Sequence, residues 1–283
     1  MLFAPGNDPA RIVEAGESGA DCVIYDLEDS VSIFEKDSAR TLVKYVLRSR
    51  RPGCHVGIRV NSADSPYHED DVRTLVPLKP DFLRLPKAES AGDVTRLDAL
   101  MASVEREAGV PVGTVRIMAS IESARGVLNA LQIASASSRV LAIGFGAEDF
   151  RTDMGLERSA DGSELTFARN MVALSARAAG VLALDYIYPD IGDDEGFRAD
   201  VWRGRGMGYT GKSVIDAAQV AVVNEVYTPS AQAVADARRV LSAWQENLKD
   251  PSHAALNGRV IDKPMVTAAM AVLSQARAAG VRL

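Results

Sequence analysis

Cysteine and histidine are nearly missing: 283 residues hold two of the first and three of the second. Two thiols, Cys22 and Cys54, can close at most one disulfide, and both lie in or beside apolar strand-like runs. A disulfide scaffold, a thiolate zinc centre and a poly-histidine metal centre are therefore poor readings. Any metal must rest on carboxylates, which favours a hard ion such as Mg²⁺. Basic charge is also short, with 32 Lys and Arg against 38 Asp and Glu and a formal net charge of -6. A general nucleic-acid binder needs a basic face to neutralise phosphates, so that class is disfavoured. No stretch approaches ~18 uninterrupted apolar residues, so no membrane partner is expected. The opening MLFAPGNDPAR lacks the basic-then-apolar order of a secretory signal, and the expected location is cytoplasmic. The chain opens inside a strand-like run, as if a few residues belonged ahead of Met1.

What is present is a core. Hydrophobic residues make up 47% and charged residues 25%, the balance of a folded domain. Short apolar runs recur: LFAP (2–5), CVIYDLE (22–28), VGIRVN (56–61), FLRLPK (82–87), VRIMASIE (115–122), VLAIGFG (140–146), LALDYIYP (182–189) and GMGYTGK (206–212). Helical patterns lie between them. Ala39, Leu42, Val43, Val46 and Leu47 share one face; so do Val94, Leu97, Met101 and Val104, and so do Phe167, Met171, Leu174 and Ala178. Strand and helix in eightfold alternation predict a (β/α)₈ barrel, whose usual size is ~250 residues. An open doubly wound sheet is the runner-up. The barrel is expected over residues 1–225. A helical arm is expected over 226–283, carrying Val234, Ala237, Leu241, Trp244 and Leu248 on one helix and Val266, Met270, Leu273 and Ala276 on another. A polar loop, KDPSHAALNGRVIDKP, separates them.

In a barrel the carboxyl ends of the strands face the active site. Here those ends carry Asp26, Glu28 and Asp29; Arg59 and Asn61; Lys87; Glu122; Glu148 and Asp149; Asp185 and Asp190; and Lys212. One polar strand end is ordinary, but a succession of charged ones predicts a single polar site. Each residue also has a plainer reading. Glu122 beside Ser123 suits a helix start, and Asp149 suits a turn cap. Arg59 and Lys87 suit ion pairs at the mouth. Asp262 precedes Lys263 and Pro264 ahead of an amphipathic run, the pattern of an N-cap. Cys22, Cys54 and Met118 read as core, and His55 and His68 as loop or structural residues. Gly144 and Gly146 form a weak phosphate signal without a full dinucleotide motif. No G-x-S-x-G elbow is present.

The segments LFAPGN, YDLEDSV, EKDSAR, RVN, LRLPKAES, ASIESARGVLNA, AIGFGAEDF, GYTGKSVI and VIDKP occur in this order. Together they resemble the HpcH/HpaI aldolase and citrate lyase beta-subunit family, in the citrate lyase beta-like branch that includes malyl-CoA and citramalyl-CoA lyases. The resemblance runs from about residue 2 to about residue 275. It implies the (β/α)₈ barrel of the phosphoenolpyruvate/pyruvate-binding superfamily, assembled as a trimer or hexamer. It implies Glu122 and Asp149 as ligands of Mg²⁺, with Mn²⁺ as a substitute, and Glu148 as their neighbour. It makes Arg59 the substrate-activating arginine and Asp262 an acid/base that a neighbouring subunit supplies.

The implied chemistry is a carbon–carbon lyase reaction. A β-hydroxyacyl-CoA thioester splits through an enolate into a 2-oxo acid plus acetyl-CoA or propionyl-CoA, or forms from them. The implied substrate contacts are Arg59, Lys87, Gly146, Asp26, Glu28, Lys36 and Lys212, with Lys36 and Lys87 toward the carrier phosphates and Gly144, Gly146 and Gly211 permitting close approach. One departure stands out: relatives commonly carry His-Pro where this chain has Asp216-Ala217. The competing readings are a citryl-ACP lyase subunit of citrate lyase, a thioester hydrolase on the same fold, and a non-catalytic ligand-binding barrel.

Overall fold

The computed structural model describes residues 1–159, 161–247, 255–256 and 259–282. The chain runs β1 (Leu2–Pro5), α1 (Pro9–Glu17), β2 (Cys22–Asp26), α2 (Lys36–Ser49), β3 (His55–Arg59), α3 (His68–Leu75), β4 (Phe82–Leu85) and α4 (Ala91–Glu107). It continues with β5 (Arg116–Ile121), α5 (Ala124–Leu128), α6 (Ala130–Ala134), β6 (Val140–Phe145), α7 (Ala147–Met154), α8 (Thr166–Ala179), β7 (Leu182–Asp185), α9 (Asp194–Gly206) and β8 (Gly211–Lys212). Then come α10 (Ala218–Tyr227), α11 (Ala231–Glu246), β9 (Ala255–Leu256), β10 (Arg259–Val260) and α12 (Lys263–Ala278). Residues 1–223 and 224–283 form two compact units, the division falling inside α10.

The first unit is a (β/α)₈ barrel. Strands β1 to β8 pair in sequence order, all parallel. The sheet closes where Phe3 N–H donates to Val214 O and Val214 N–H donates to Met1 O, both at 2.9 Å. Strands enclosed on both sides need apolar residues throughout, which is why they read as aliphatic runs. Local chemistry starts the helices. Asp8 accepts from the N–H groups of Ala10 and Arg11 ahead of α1, and Ser90 and Asp93 form a reciprocal capping box on α4.

An apolar plug fills the barrel below its mouth: Cys22, Ile24, Phe82, Met118, Ala142 and Leu184. Gly57 leaves room for the Phe82 ring, since a Cβ there would sit 2.3 Å from Phe82 Cζ. Full burial of such side chains stabilises the fold by roughly 1.5–3 kcal/mol each.

Two expectations need correction. Strand β8 is only Gly211–Lys212, because Gly206 ends α9 and Gly208 turns the chain at φ 97. The α8 face of Phe167, Met171, Leu174 and Ala178 is not the core face: Phe167 and Leu174 are 70% and 64% exposed. The core side of α8 carries Ala168, Arg169, Val172, Ala173 and Ala176 instead. Small residues there let the helix approach the sheet, and Arg169 is buried for its charge pairing.

In the second unit α11 packs on α12, burying Val234 and Ala237 from one and Ala269 and Ala276 from the other. Strands β9 and β10 pair antiparallel between them. Leu248 and part of the expected polar loop lie outside the described residues. Among the described residues, no helix is long and apolar enough to cross a membrane.

Candidate active site

Side chains alternate across a strand, so phase decides which strand-end charges face the barrel interior. Asp26, Arg59 and Arg84 are register partners on β2, β3 and β4. All three line a cavity of about 480 Å³ at the carboxyl ends of the strands, together with Glu122, Asp149 and Ser213. An adjoining cavity of about 450 Å³ shares Glu122 and Asp149 and adds Lys87.

Arg59 is held by acids. Its Nε and Nη2 donate to the two oxygens of Asp26, both at 2.6 Å. Its Nη1 lies 3.2 Å from Glu28 and 3.6 Å from Asp29. Asp26 also accepts from Ser30 Oγ and from the N–H of Glu28. Burial alone would raise the Asp26 carboxyl, but the charge and hydrogen bonds of Arg59 hold it down at about 2. Glu28 behaves oppositely. Burial lifts it to about 7, although Arg59 and Lys87 pull it down.

Glu122 is 4% exposed. Its Oε2 accepts from the Lys87 N–H at 3.0 Å. That amide is aimed by an unusual backbone: Lys87 has φ 52, a left-handed conformation rare outside glycine. Gly146 supplies the space, since a Cβ there would sit 2.5 Å from Glu122 Cγ. The helix-start reading of Glu122 is therefore replaced. Ser123 caps α5, accepting from Gly126 N–H, while Glu122 turns into the cavity.

Asp149 stands in the first turn of α7 and faces the same space. Burial raises both the Glu122 and the Asp149 carboxyls; Asp149 adds to the rise of Glu122, and Asp29 and Glu148 add to that of Asp149. Among the described residues neither has a basic nitrogen within 4.0 Å. No cluster of three or more His, Cys, Asp or Glu ligands exists among them either. Two hard carboxylates with no cation in direct contact, opposed only by the more distant charges of Arg84, Arg59 and Lys87, fit a cation that brings its own waters, as Mg²⁺ does.

The other expected contacts fall variously. Lys87 Nζ reaches Glu28 at 2.9 Å and Asp29 at 3.6 Å, with its side chain 44% exposed. Gly146 lines the main cavity, but its missing side chain serves Glu122. Glu148 lines it too, paired with Arg151 at 2.6 Å and Arg158 at 2.8 Å.

Lys36 is a correction: its Nζ donates to the carbonyls of Leu27 and Glu28, at 2.8 and 2.7 Å, and so fastens the chain after β2. Lys212 is a firmer one. Its phase on β8 points it away from the cavity, where it is fully buried between Asp185 (3.2 Å) and Asp200 (2.7 Å). Arg169 pairs with the same two acids. Asp185, counted among the mouth charges, belongs to this outer cluster. His55 lies by Asp81 and His68 by the Asn61 carbonyl. Asp216 accepts from Ala218 N–H, at the start of α10. Asp262 caps α12, accepting from Met265 N–H at 2.9 Å.

Sequence reasoning passed over Arg84, Phe3 and Ser213. Arg84 is a charge inside the apolar run FLRL, at a position whose phase points inward. That coincidence was the available signal.

Relatives match the chain over nearly its whole length. The citrate lyase subunit beta of Leuconostoc mesenteroides subsp. cremoris is 41% identical over 280 residues, 98% of this chain and 93% of that one. The L-malyl-CoA/beta-methylmalyl-CoA lyase of Cereibacter sphaeroides is 33% identical over 98% of this chain and 93% of its own. A crystal structure of CitE from Mycobacterium tuberculosis, in complex with magnesium, acetoacetate and coenzyme A, superposes with a TM-score of 0.80 at 31% identity, covering 98% of this chain and 97% of that one. Barrel, mouth and relatives define a carbon–carbon lyase. The sequence pattern of the HpcH/HpaI aldolase/citrate lyase family matches residues 1–217, and the chain belongs to that family.

Proposed function

We propose that this barrel cleaves, and in reverse forms, the carbon–carbon bond of a β-hydroxyacyl thioester, yielding a 2-oxo acid and a shorter acyl thioester. The observation that carries the reading is the pair Glu122 and Asp149, two partly or wholly buried carboxylates without a basic partner facing the cavity that Arg59 lines. The named ligands of the mycobacterial neighbour, magnesium, acetoacetate and coenzyme A, support the same chemistry here. Glu122 and Asp149 would hold Mg²⁺, which when bound supplies Lewis-acid polarisation of the oxo-acid oxygens.

The chain's own residues do the rest. Arg59 offers its guanidinium to the thioester oxygen, where negative charge develops as the bond breaks. Asp26 keeps that guanidinium in place. Lys87, half exposed at the rim, suits a carrier phosphate. Asp262 of a neighbouring copy is assigned the proton at the thioester α-carbon. Its support is the VIDKP segment of the family resemblance, and a homo-oligomer is part of this reading.

The test is product analysis. Purified protein with Mg²⁺ is given malyl-CoA, citramalyl-CoA and citryl-CoA, and the oxo acid, acyl-CoA and free CoA are separated by chromatography. Equal amounts of oxo acid and acyl-CoA, abolished by EDTA, are expected with at least one substrate. Free CoA without acyl-CoA would establish a hydrolase instead. Mixing inactive Asp262→Asn and Arg59→Ala chains should restore part of the turnover if sites are shared between copies.

A further inference from the structure

The main cavity holds a buried cation that no acid touches, although Glu122, Asp26 and Glu28 act on it from farther away. Arg84 is 4% exposed. Its Nε donates to Ser120 Oγ at 2.7 Å, and its Nη1 reaches across the barrel to Ser213 Oγ at 3.5 Å. No carboxylate oxygen of the described residues lies within 4.0 Å of it. The Phe3 ring stands against it at 4.9 Å, and against Arg59 at 5.3 Å. Gly144 clears its path: a Cβ there would meet Arg84 Nη2 at 3.4 Å and Met118 Cε at 2.6 Å. Other buried arginines of this protein are paired; Arg169 has Asp185 and Asp200, and Arg139 has Glu105 and Asp98.

An unpaired buried guanidinium is costly, since desolvation opposes its charge. Burial accordingly lowers Arg84 to about 10. The polar groups in contact at this end of the cavity can all donate to a ligand. Arg84 presents its Nη2 end, and Ser120 and Ser213 accept from Arg84 and so keep their own O–H groups free to donate onward. Donors alone, with a positive charge, match a carboxylate. On the lyase reading the 2-oxo acid spends its first carboxylate and its carbonyl at the Glu122 and Asp149 end. Arg84 is more than 4.0 Å from both.

Resting on that reading, we infer that Arg84 and Ser213 receive a second carboxylate of the oxo acid, so the acid this enzyme releases or condenses is a dicarboxylate. A monocarboxylic acid would leave Arg84 without a carboxylate in direct contact. The site thereby selects among oxo acids at the end remote from the thioester.

Oxaloacetate and pyruvate test this directly, because they differ by one carboxylate. Their binding to the intact protein with Mg²⁺ is measured by calorimetry. Wild type should bind oxaloacetate roughly 10- to 100-fold more tightly than pyruvate, the range of a buried charge-assisted pair. Arg84→Met should erase the preference and leave pyruvate affinity within about twofold. Ser213→Ala, a milder change, should reduce the preference several-fold, and it serves if Arg84→Met fails to fold. Equal wild-type affinities, or equal weakening of both acids by Arg84→Met, would overturn the inference while leaving the lyase reading intact. Absence of Mg²⁺-dependent binding by either acid would overturn both.

Discussion

Asp26 and Arg59 meet through two parallel hydrogen bonds of 2.6 Å, from register-paired positions on adjacent strands. The pair is nearly excluded from solvent, with side-chain exposures of 2% and 14%. Such a fork-to-fork contact fixes orientation as well as charge. On the proposed lyase reading, Asp26 is thus a positioning residue for the arginine assigned to the thioester oxygen. Asp26→Asn keeps the shape but breaks the fork, because an amide nitrogen cannot accept. Turnover should fall about 10²-fold with the affinity for Mg²⁺ little changed. Calorimetry with Mg²⁺ beside kcat would check this; parallel loss of both would make Asp26 part of the cation site.

The eight strands are legible in the sequence because a strand enclosed on both faces must be an unbroken aliphatic run. The mouth is legible because Asp26, Arg59, Glu122 and Asp149 fall at the ends of those runs. Phase is what the pattern conceals. Lys212 and Ser213 are neighbours at one strand end, yet Lys212 goes outward to Asp185 and Asp200 while Ser213 goes into the cavity. With β8 reduced to Gly211–Lys212, too few residues alternate to show the phase. Helix α8 misleads for a different reason. Its buried side is alanine and one paired arginine, which weigh less in an apolar pattern than the exposed Phe167 and Leu174. The left-handed backbone at Lys87 leaves no mark in composition, because lysine there is sterically unexpected.

Glu122 and Asp149 predict a trade between stability and metal binding. Burial raises both carboxyls above their ordinary values. A raised acid keeps its proton in the folded chain after the unfolded chain has released it, so stability falls as pH rises through that window and stays lower above it. Glu122→Gln should therefore raise the melting temperature of the metal-free protein at neutral pH. It should also abolish the Mg²⁺-induced rise of wild type, about 2.7 kcal/mol at a hundredfold excess over Kd. Differential scanning fluorimetry with and without EDTA reads both effects. A variant that still gained stability from Mg²⁺ would remove Glu122 from the site.

Two acids, Asp26 and Glu28, should shape opposite limbs of the stability profile. Arg59 holds Asp26 down at about 2 against its burial, so its contribution is present above pH 3.8 and is lost as pH falls through 2. Burial lifts Glu28 from 4.5 to about 7, so its penalty grows as pH rises across that interval. Glu28→Gln should leave the acid limb alone and flatten the decline between those values. The gain above neutrality is on the order of 3 kcal/mol at most. Urea midpoints taken from acid to mildly alkaline pH test the sign, and a variant profile parallel to wild type would place the Glu28 titration elsewhere.

The outer cluster of Lys212, Arg169, Asp185 and Asp200 separates a structural lysine from a substrate lysine. All four are buried, and Lys212 lies 2.7 Å from Asp200. Lys212→Met removes one cation and leaves two acids sharing Arg169. Breaking a buried ionic cluster in this way costs about 3–5 kcal/mol. The denaturation midpoint should drop accordingly, while KM for the thioester in the folded fraction should stay within twofold of wild type. A substrate lysine would show the reverse, with KM raised and stability kept, because its partner would be the ligand. Asp200→Asn provides the internal comparison: it breaks the same cluster from the acid side, so a matching loss of stability with unchanged KM would assign the effect to the cluster.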